Sequence, residues 1–216
     1  MVPLDYDLIR AAPRALNLSG VGDVLCFYTA HADWKIAQRA NKAGSWPYDP
    51  YAVAQARQVM NKLLKHVEDI RLLNDTGISA LVTALSYGGA AYHAWGWNPR
   101  PVEGFDHIFF YALEKHTGKH FIHGYPVLLG VWLGSRLQEN NPSWVLETIL
   151  QFGIDIRPSA MQISWQDVED SLLGLKKFAE ENDMLYTIAN ERTITKSWID
   201  SAKIDLFSAY AEKWKD

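Results

Sequence analysis

An all-α fold is expected for this chain: a single helical domain spanning 1–216. Three observations predict it. Apolar residues recur at three- and four-residue intervals through most of the sequence, the stretches between Gly, Pro and Asn signals are of helix length, and no pair of alternating apolar and polar runs marks a strand hairpin.

The elements follow in order. Asp23 to Arg39 reads as a helix behind the Gly20-x-Gly22 turn. Val53, Ala56, Val59, Met60, Leu63, Leu64, Val67 and Ile70 form one apolar stripe, which predicts a single long helix. Thr76 to Ala94 is Ala-rich and helical by pattern, and its Gly88-Gly89 pair is expected to serve close helix packing. Gly104 to His116, Pro126 to Glu139 and Pro142 to Phe152 are three further helix-length stretches. Ser164 with Asp167 reads as a capping pair opening a helix whose core side is Val168, Leu172, Leu175 and Phe178. A last helix is expected to turn Trp198, Ala202, Leu206, Tyr210 and Trp214 inward.

Composition narrows the function classes. A formal net charge of −4, with acids and bases mixed along the chain, leaves no basic footprint for nucleic acid and no polybasic patch for a membrane surface. A single cysteine, Cys26, rules out an internal disulfide framework, and no apolar run is long enough for a bilayer span or a secretory signal. The cytoplasm is the expected compartment. A dinucleotide-binding unit needs a strand, a glycine-rich turn and a helix N-terminus facing the pyrophosphate, and no segment here supplies that series.

Taken singly, the polar candidates have bland readings. Asp23 suits the first turn of a helix, where the dipole favours an acid, and His107 sits among Phe105, Ile108, Phe109 and Phe110 as a core histidine would. His123, just ahead of Pro126, falls at a helix start. His116 and His120 flank Gly118-Lys119 and read as surface residues, and His31 and His93 are placed beside a cleft without a ligand role.

Three blocks change this picture. The run SGVGDVLCFYTAHADWKIA (Ser19 to Ala37), the segment GWNPRPVEGFDH (Gly96 to His107) and the pair His123-Gly124 resemble the iron-containing alcohol dehydrogenase superfamily, in particular its glycerol-1-phosphate and glycerol dehydrogenase branch. The opening VPLDYDLIRAAP resembles the connector into that family's C-terminal domain, and LYTIANERTIT resembles its closing segment. The resemblance implies that Asp23, His107 and His123 hold a catalytic metal. His107 follows Asp23 by 84 residues and His123 follows His107 by 16, so the ligands must come from separate elements. One carboxylate and two imidazoles suit Zn²⁺, with Fe²⁺ or Ni²⁺ as alternatives, and leave a coordination position free. Phe27 stands where some relatives carry a further His, which favours the three-ligand zinc pattern.

The implied chemistry is NAD(P)-dependent hydride transfer from a polyol or phosphorylated polyol. Arg100, which matches a family Arg-Pro, and the neighbouring Asn98 are expected to contact that substrate. The surroundings depart from the family: Trp95, Trp97 and Asn98 replace small or hydroxylic residues, Asp106 stands where Glu is frequent, and Tyr125 follows His123-Gly124 where many relatives have Glu. The nucleotide-binding domain is expected to be missing, leaving a chain inactive alone, with an apolar face and tryptophan-rich surface that favour homo-oligomers. A dehydroquinate-synthase-like lyase half and a non-catalytic helical module are the alternatives.

Overall fold

The computed structural model describes residues 4–94 and 96–213, with the side chains of 89–94 and 213 outside that description, and every regular element among them is helical. In chain order these are α1 (Tyr6–Ala11), α2 (Arg14–Ser19), α3 (Gly22–Arg39), α4 (Pro50–Leu63), α5 (Val67–Leu72), α6 (Asp75–Ala94), α7 (Phe105–Thr117), α8 (Gly124–Leu137), α9 (Pro142–Gln151), α10 (Trp165–Glu181), α11 (Ile188–Glu191) and α12 (Lys196–Lys213), with 3₁₀ turns at Leu64–His66 and Pro158–Met161.

The centre of the bundle is α8. Its run Val127 to Leu133 is apolar on every side, so it can be stable only if surrounded. It packs on α7, α3 and α9, while α10 covers the far side of α7 and α12 lies on α9 and α10. On the other side of α3, α4 and α6 form an outer layer joined by α5. Trp132, Phe105, Phe109 and Phe27 are each at most 1% exposed, and burial of each large side chain contributes roughly 1.5–3 kcal/mol. No helix among the described residues is long and apolar enough to cross a membrane.

Local signals set the helix ends. The Asp49 carboxylate accepts from the N–H groups of Tyr51 and Ala52, and Pro50 occupies the first helical position of α4. Ser164 and Asp167 make the reciprocal capping box expected for α10. Gly118, at φ 66°, ends α7 in the left-handed region and separates His116 from His120. His116 lies 3.8 Å from both Asp167 and Asp170, and the side chain of His120 is 98% exposed, so neither is drawn into a site.

Two expectations need correction. The stripe from Val53 to Ile70 is broken at Leu64–His66: a 3₁₀ turn keeps positions three apart on one side, so the apolar spacing survives while the axis changes. The change of direction lets α5 dock on α6 at Gly77, where a Cβ would lie 2.2 Å from the Asp69 carbonyl oxygen. That contact, and not one at Gly88, is the tight packing of α6; a Cβ at Gly88 would meet only Phe27, at 3.9 Å. In α12 the expected Ala202, Leu206 and Tyr210 do face inward, joined by Ile199, and Trp198 is half-buried against the core. Of the described tryptophans, Trp34, Trp132 and Trp165 belong to the core, Trp46 and Trp198 are half-buried, and Trp97 and Trp144 are exposed. His93, Gly89, Trp95 and Trp214 lie outside the described side chains.

Candidate metal centre

Three helix N-termini meet at one point. Asp23 is the second residue of α3, His107 the third of α7, and His123 immediately precedes α8. The side chains face one another there: His123 Nε2 is 2.9 Å from Asp23 Oδ1, His107 Nε2 is 4.0 Å from the same oxygen, and the two imidazole Nε2 atoms are 3.3 Å apart.

Glycine makes this convergence available. A Cβ on Gly22 would lie 2.5 Å from the Gly124 carbonyl oxygen, and one on Gly124 would lie 1.8 Å from that of Ser19, so the starts of α3 and α8 touch backbone to backbone. Asp23 and His123 are the neighbours of those two glycines. Farther along α8, a Cβ on Gly130 would lie 2.7 Å from the Asp106 carbonyl oxygen, which brings α7 equally close and carries His107 into place.

The three donors fit a cation. Ligand bonds of about 2.0–2.1 Å in a tetrahedron separate the donor atoms by about 3.3 Å, and the observed 2.9, 3.3 and 4.0 Å bracket that value. All three ligating atoms lie within 4.8 Å of one another. Asp23 and His123 are about a third exposed and His107 is largely buried, so the cluster opens to solvent on one side. That opening is where a substrate oxygen can approach.

The surroundings set the electrostatics. Burial pulls the His107 imidazole down, but the hydrogen bond to Asp106 and the nearby carboxylates of Asp106, Glu103 and Asp23 outweigh it, and the net shift is upward. The Tyr111 phenol, its ring centroid 6.3 Å from that of His107, is pushed up to about 12 by burial and by the same carboxylates, so it stays protonated. Phe110 places its ring edge-on to His123 at 4.6 Å. Cys26, one turn after Asp23, is buried, and burial followed by the charges of Asp106 and Asp23 pushes its thiol well up. Cys26, Asp106 and His107 form a second close group, but all three are buried and both Asp106 oxygens are already hydrogen-bonded within the protein.

Phe27 is fully buried against His31 and Tyr87, so no ligand stands one turn beyond Asp23. Arg100 and Asn98, expected at the substrate, lie outside the three-donor cluster. Arg100 is 3% exposed; its Nη1 donates to the Tyr186 carbonyl at 2.7 Å and its Nη2 to that of Lys42 at 3.2 Å, while Asn98 Oδ1 accepts from the Arg100 backbone N–H. The fork is a buried tie between loops through Nη1 and Nη2, while its Nε, also buried, has no hydrogen-bond partner among the described residues. Asp33 does related work nearby, accepting from the N–H groups of Phe105 and Ile188 and so joining α3 to the starts of α7 and α11. Sequence reasoning gave no role to Asp106, which is hydrogen-bonded to His107, or to Thr29, which donates to Asp106. The one legible sign was an acid immediately before a candidate ligand.

Fold and site together define a helical domain that draws metal-type ligands to the junction of three helix starts. No protein-family model matches the chain. Among curated proteins it is similar to the glycerol-1-phosphate dehydrogenase (NAD(P)+) of Pyrococcus abyssi, 29% identical over 198 residues, 92% of this chain and 55% of that protein. It is 32% identical over 149 residues to the protein of the same name from Pyrococcus furiosus, 69% of this chain and 42% of the relative. With that of Methanosarcina barkeri it shares 27% identity over 184 residues, 85% of this chain and 50% of the relative. The chain is thus homologous to glycerol-1-phosphate dehydrogenases, an NAD(P)-dependent dehydrogenase family, and it spans about half the length of the curated relatives it matches.

Proposed function

We propose that this chain is the metal-binding half of an NAD(P)-dependent polyol or glycerol-1-phosphate dehydrogenase, in which Asp23, His107 and His123 hold one divalent cation. The observation that carries the reading is the meeting of those three donors at separations that bracket the spacing around a tetrahedral ion, on a chain homologous to dehydrogenases of that name. When bound, the cation would act as a Lewis acid toward a substrate hydroxyl, and the nicotinamide would accept hydride.

The chain's own residues do the rest. The paired backbone contacts at Gly22 and Gly124 fix the spacing of Asp23 and His123. Phe110 and Tyr111 cover His107 and His123 on the protein side and limit water to the exposed mouth. Three helix starts direct positive potential at that mouth, which favours an anionic substrate such as a phosphorylated polyol. Zn²⁺ is the expected ion, since three ligands of this type leave a position open. The nucleotide is held by a separate domain, because the described residues are helical and contain no parallel sheet to carry a dinucleotide turn.

The test is binding of glycerol 1-phosphate measured calorimetrically with and without Zn²⁺, alongside an NAD(P)H assay on the same chain. The reading predicts metal-dependent binding that His107→Ala abolishes, and no turnover by the isolated chain. Metal-independent binding, or NAD(P)-dependent oxidation by this chain alone, contradicts it.

A further inference from the structure

Asp106 is a fully buried carboxylate that makes no ion pair with a lysine or arginine among the described residues. Its Oδ1 accepts from His107 Nδ1 at 2.6 Å and from the His107 backbone N–H at 2.9 Å. Its Oδ2 accepts from Thr29 Oγ1 at 2.8 Å, and Thr29, on α3, is itself completely buried. Burying such a group without need is costly, yet this one takes three donors across its two oxygens, and Gly130 of α8 packs on the Asp106 backbone.

The geometry has a direct chemical consequence. A carboxylate cannot donate, so the shared hydrogen between Asp106 and His107 must be carried on Nδ1. In the neutral ring Nε2 is then left with a lone pair, and Nε2 is the atom that points at Asp23 and His123. Without Asp106 the ring could turn or adopt the other tautomer, and the donor would no longer face the cation. Thr29 closes the chain from behind, fixing the carboxylate plane through a bond from α3 to α7.

We propose that Asp106 and Thr29 form a buried positioning pair that holds His107 in its Nδ1–H form, aims Nε2 at the metal position and thereby sets the affinity of the centre. Neither residue touches the cation. The inference rests on the metal-centre reading above, and orienting partners of this kind are generally worth 10–100-fold in metal affinity.

The experiment uses protein labelled with ¹⁵N at histidine, examined metal-free by long-range ¹H–¹⁵N correlation at a pH where the ring is neutral, followed by Co²⁺ titration monitored by visible absorption. Wild type is expected to show His107 protonated at Nδ1. Asp106→Ala is expected to lose that form and to weaken Co²⁺ binding by about 10–100-fold. Asp106→Asn keeps an acceptor for Nδ1–H, so it is expected to retain the tautomer and recover part of the affinity, whereas Thr29→Val gives a smaller loss in the same direction. A purely structural role for Asp106 would lower thermal stability and leave the tautomer and the cobalt spectrum unchanged, and that result overturns the proposal. Should Asp106→Ala fail to fold, Asp106→Asn and Thr29→Val decide: affinities and tautomers equal to wild type in both also overturn it. A wild type that carries the Nδ1–H form but binds no Co²⁺ would instead overturn the metal-centre reading and, with it, the claim about affinity.

Discussion

Replacing Gly124 by alanine probes the contact that brings two of the three candidate ligands together. The added Cβ would lie 1.8 Å from the Ser19 carbonyl oxygen and 2.5 Å from its carbonyl carbon, both backbone atoms that no rotamer change can move. Comfortable non-bonded separations are about 3.5 Å, so the start of α8 must retreat by roughly 1.5 Å. Overpacking of this kind typically costs about 1–3 kcal/mol. The same movement carries His123 away from Asp23, now 2.9 Å distant, whereas a usable metal site tolerates errors of only about 0.2 Å in its ligand bonds. Gly124→Ala is therefore expected to lower the unfolding free energy of the metal-free protein and to weaken Zn²⁺ binding at least tenfold. Gly174→Ala is the control: in α10, with nothing within 4 Å of the new Cβ, it should stabilise by about 0.5–1 kcal/mol and leave metal binding alone. Urea denaturation read by circular dichroism, with a zinc titration on each variant, measures both quantities. A Gly124→Ala protein as stable and as tight for zinc as wild type would refute the packing argument.

Other expected outcomes concern buried groups. Burial, followed by the charge of Arg57, lowers the His31 imidazole to about 3, against an opposing backbone hydrogen bond to Pro101. Its contribution to stability is complete above the unfolded value of 6.5 and disappears as pH falls toward 3. Asp33 has the opposite sign: burial raises it from 3.8 to about 7, so its contribution is complete below 3.8 and is lost as pH rises through 7. Between about pH 4 and 6.5 each would change stability by roughly 1.4 kcal/mol per pH unit, in opposing directions. Denaturant midpoints for wild type should vary little over that window, rise with pH in Asp33→Asn and fall with pH in His31→Phe; parallel profiles for all three proteins would contradict the assignment. Arg100→Ala leaves the carbonyls of Tyr186 and Lys42 without their donors and should destabilise by about 2–4 kcal/mol, with zinc affinity of the folded protein unchanged. A stable Arg100→Ala variant that has lost only substrate binding would restore the substrate role.

The helices were readable because their signals are local. The Asp49-Pro50 start of α4, the Ser164 capping box and the all-apolar run of α8 each depend on residues a few positions apart. The break at Leu64–His66 was hidden because a 3₁₀ turn preserves the apolar interval that predicts a continuous helix. At the site, Asp23, His107 and His123 were legible only through their resemblance to a family. Spacings of 84 and 16 residues carry no periodicity, and each residue alone has an ordinary explanation. The partners of Arg100, Lys42 and Tyr186, could not be read from the sequence because they are distant in the chain and are backbone oxygens, which leave no trace in side-chain identity. Asp106 and Thr29 escaped for a similar reason, their 77-residue separation being closed only by the packing of α3 on α7.

Metal content tests the central claim most directly. Protein stripped with chelator and titrated with Zn²⁺ should take up one equivalent per chain, with a matching rise in melting temperature, and His107→Ala and His123→Ala should each abolish both. A chain that binds no divalent ion, or whose binding survives both substitutions, would show that the three donors do not form a metal centre.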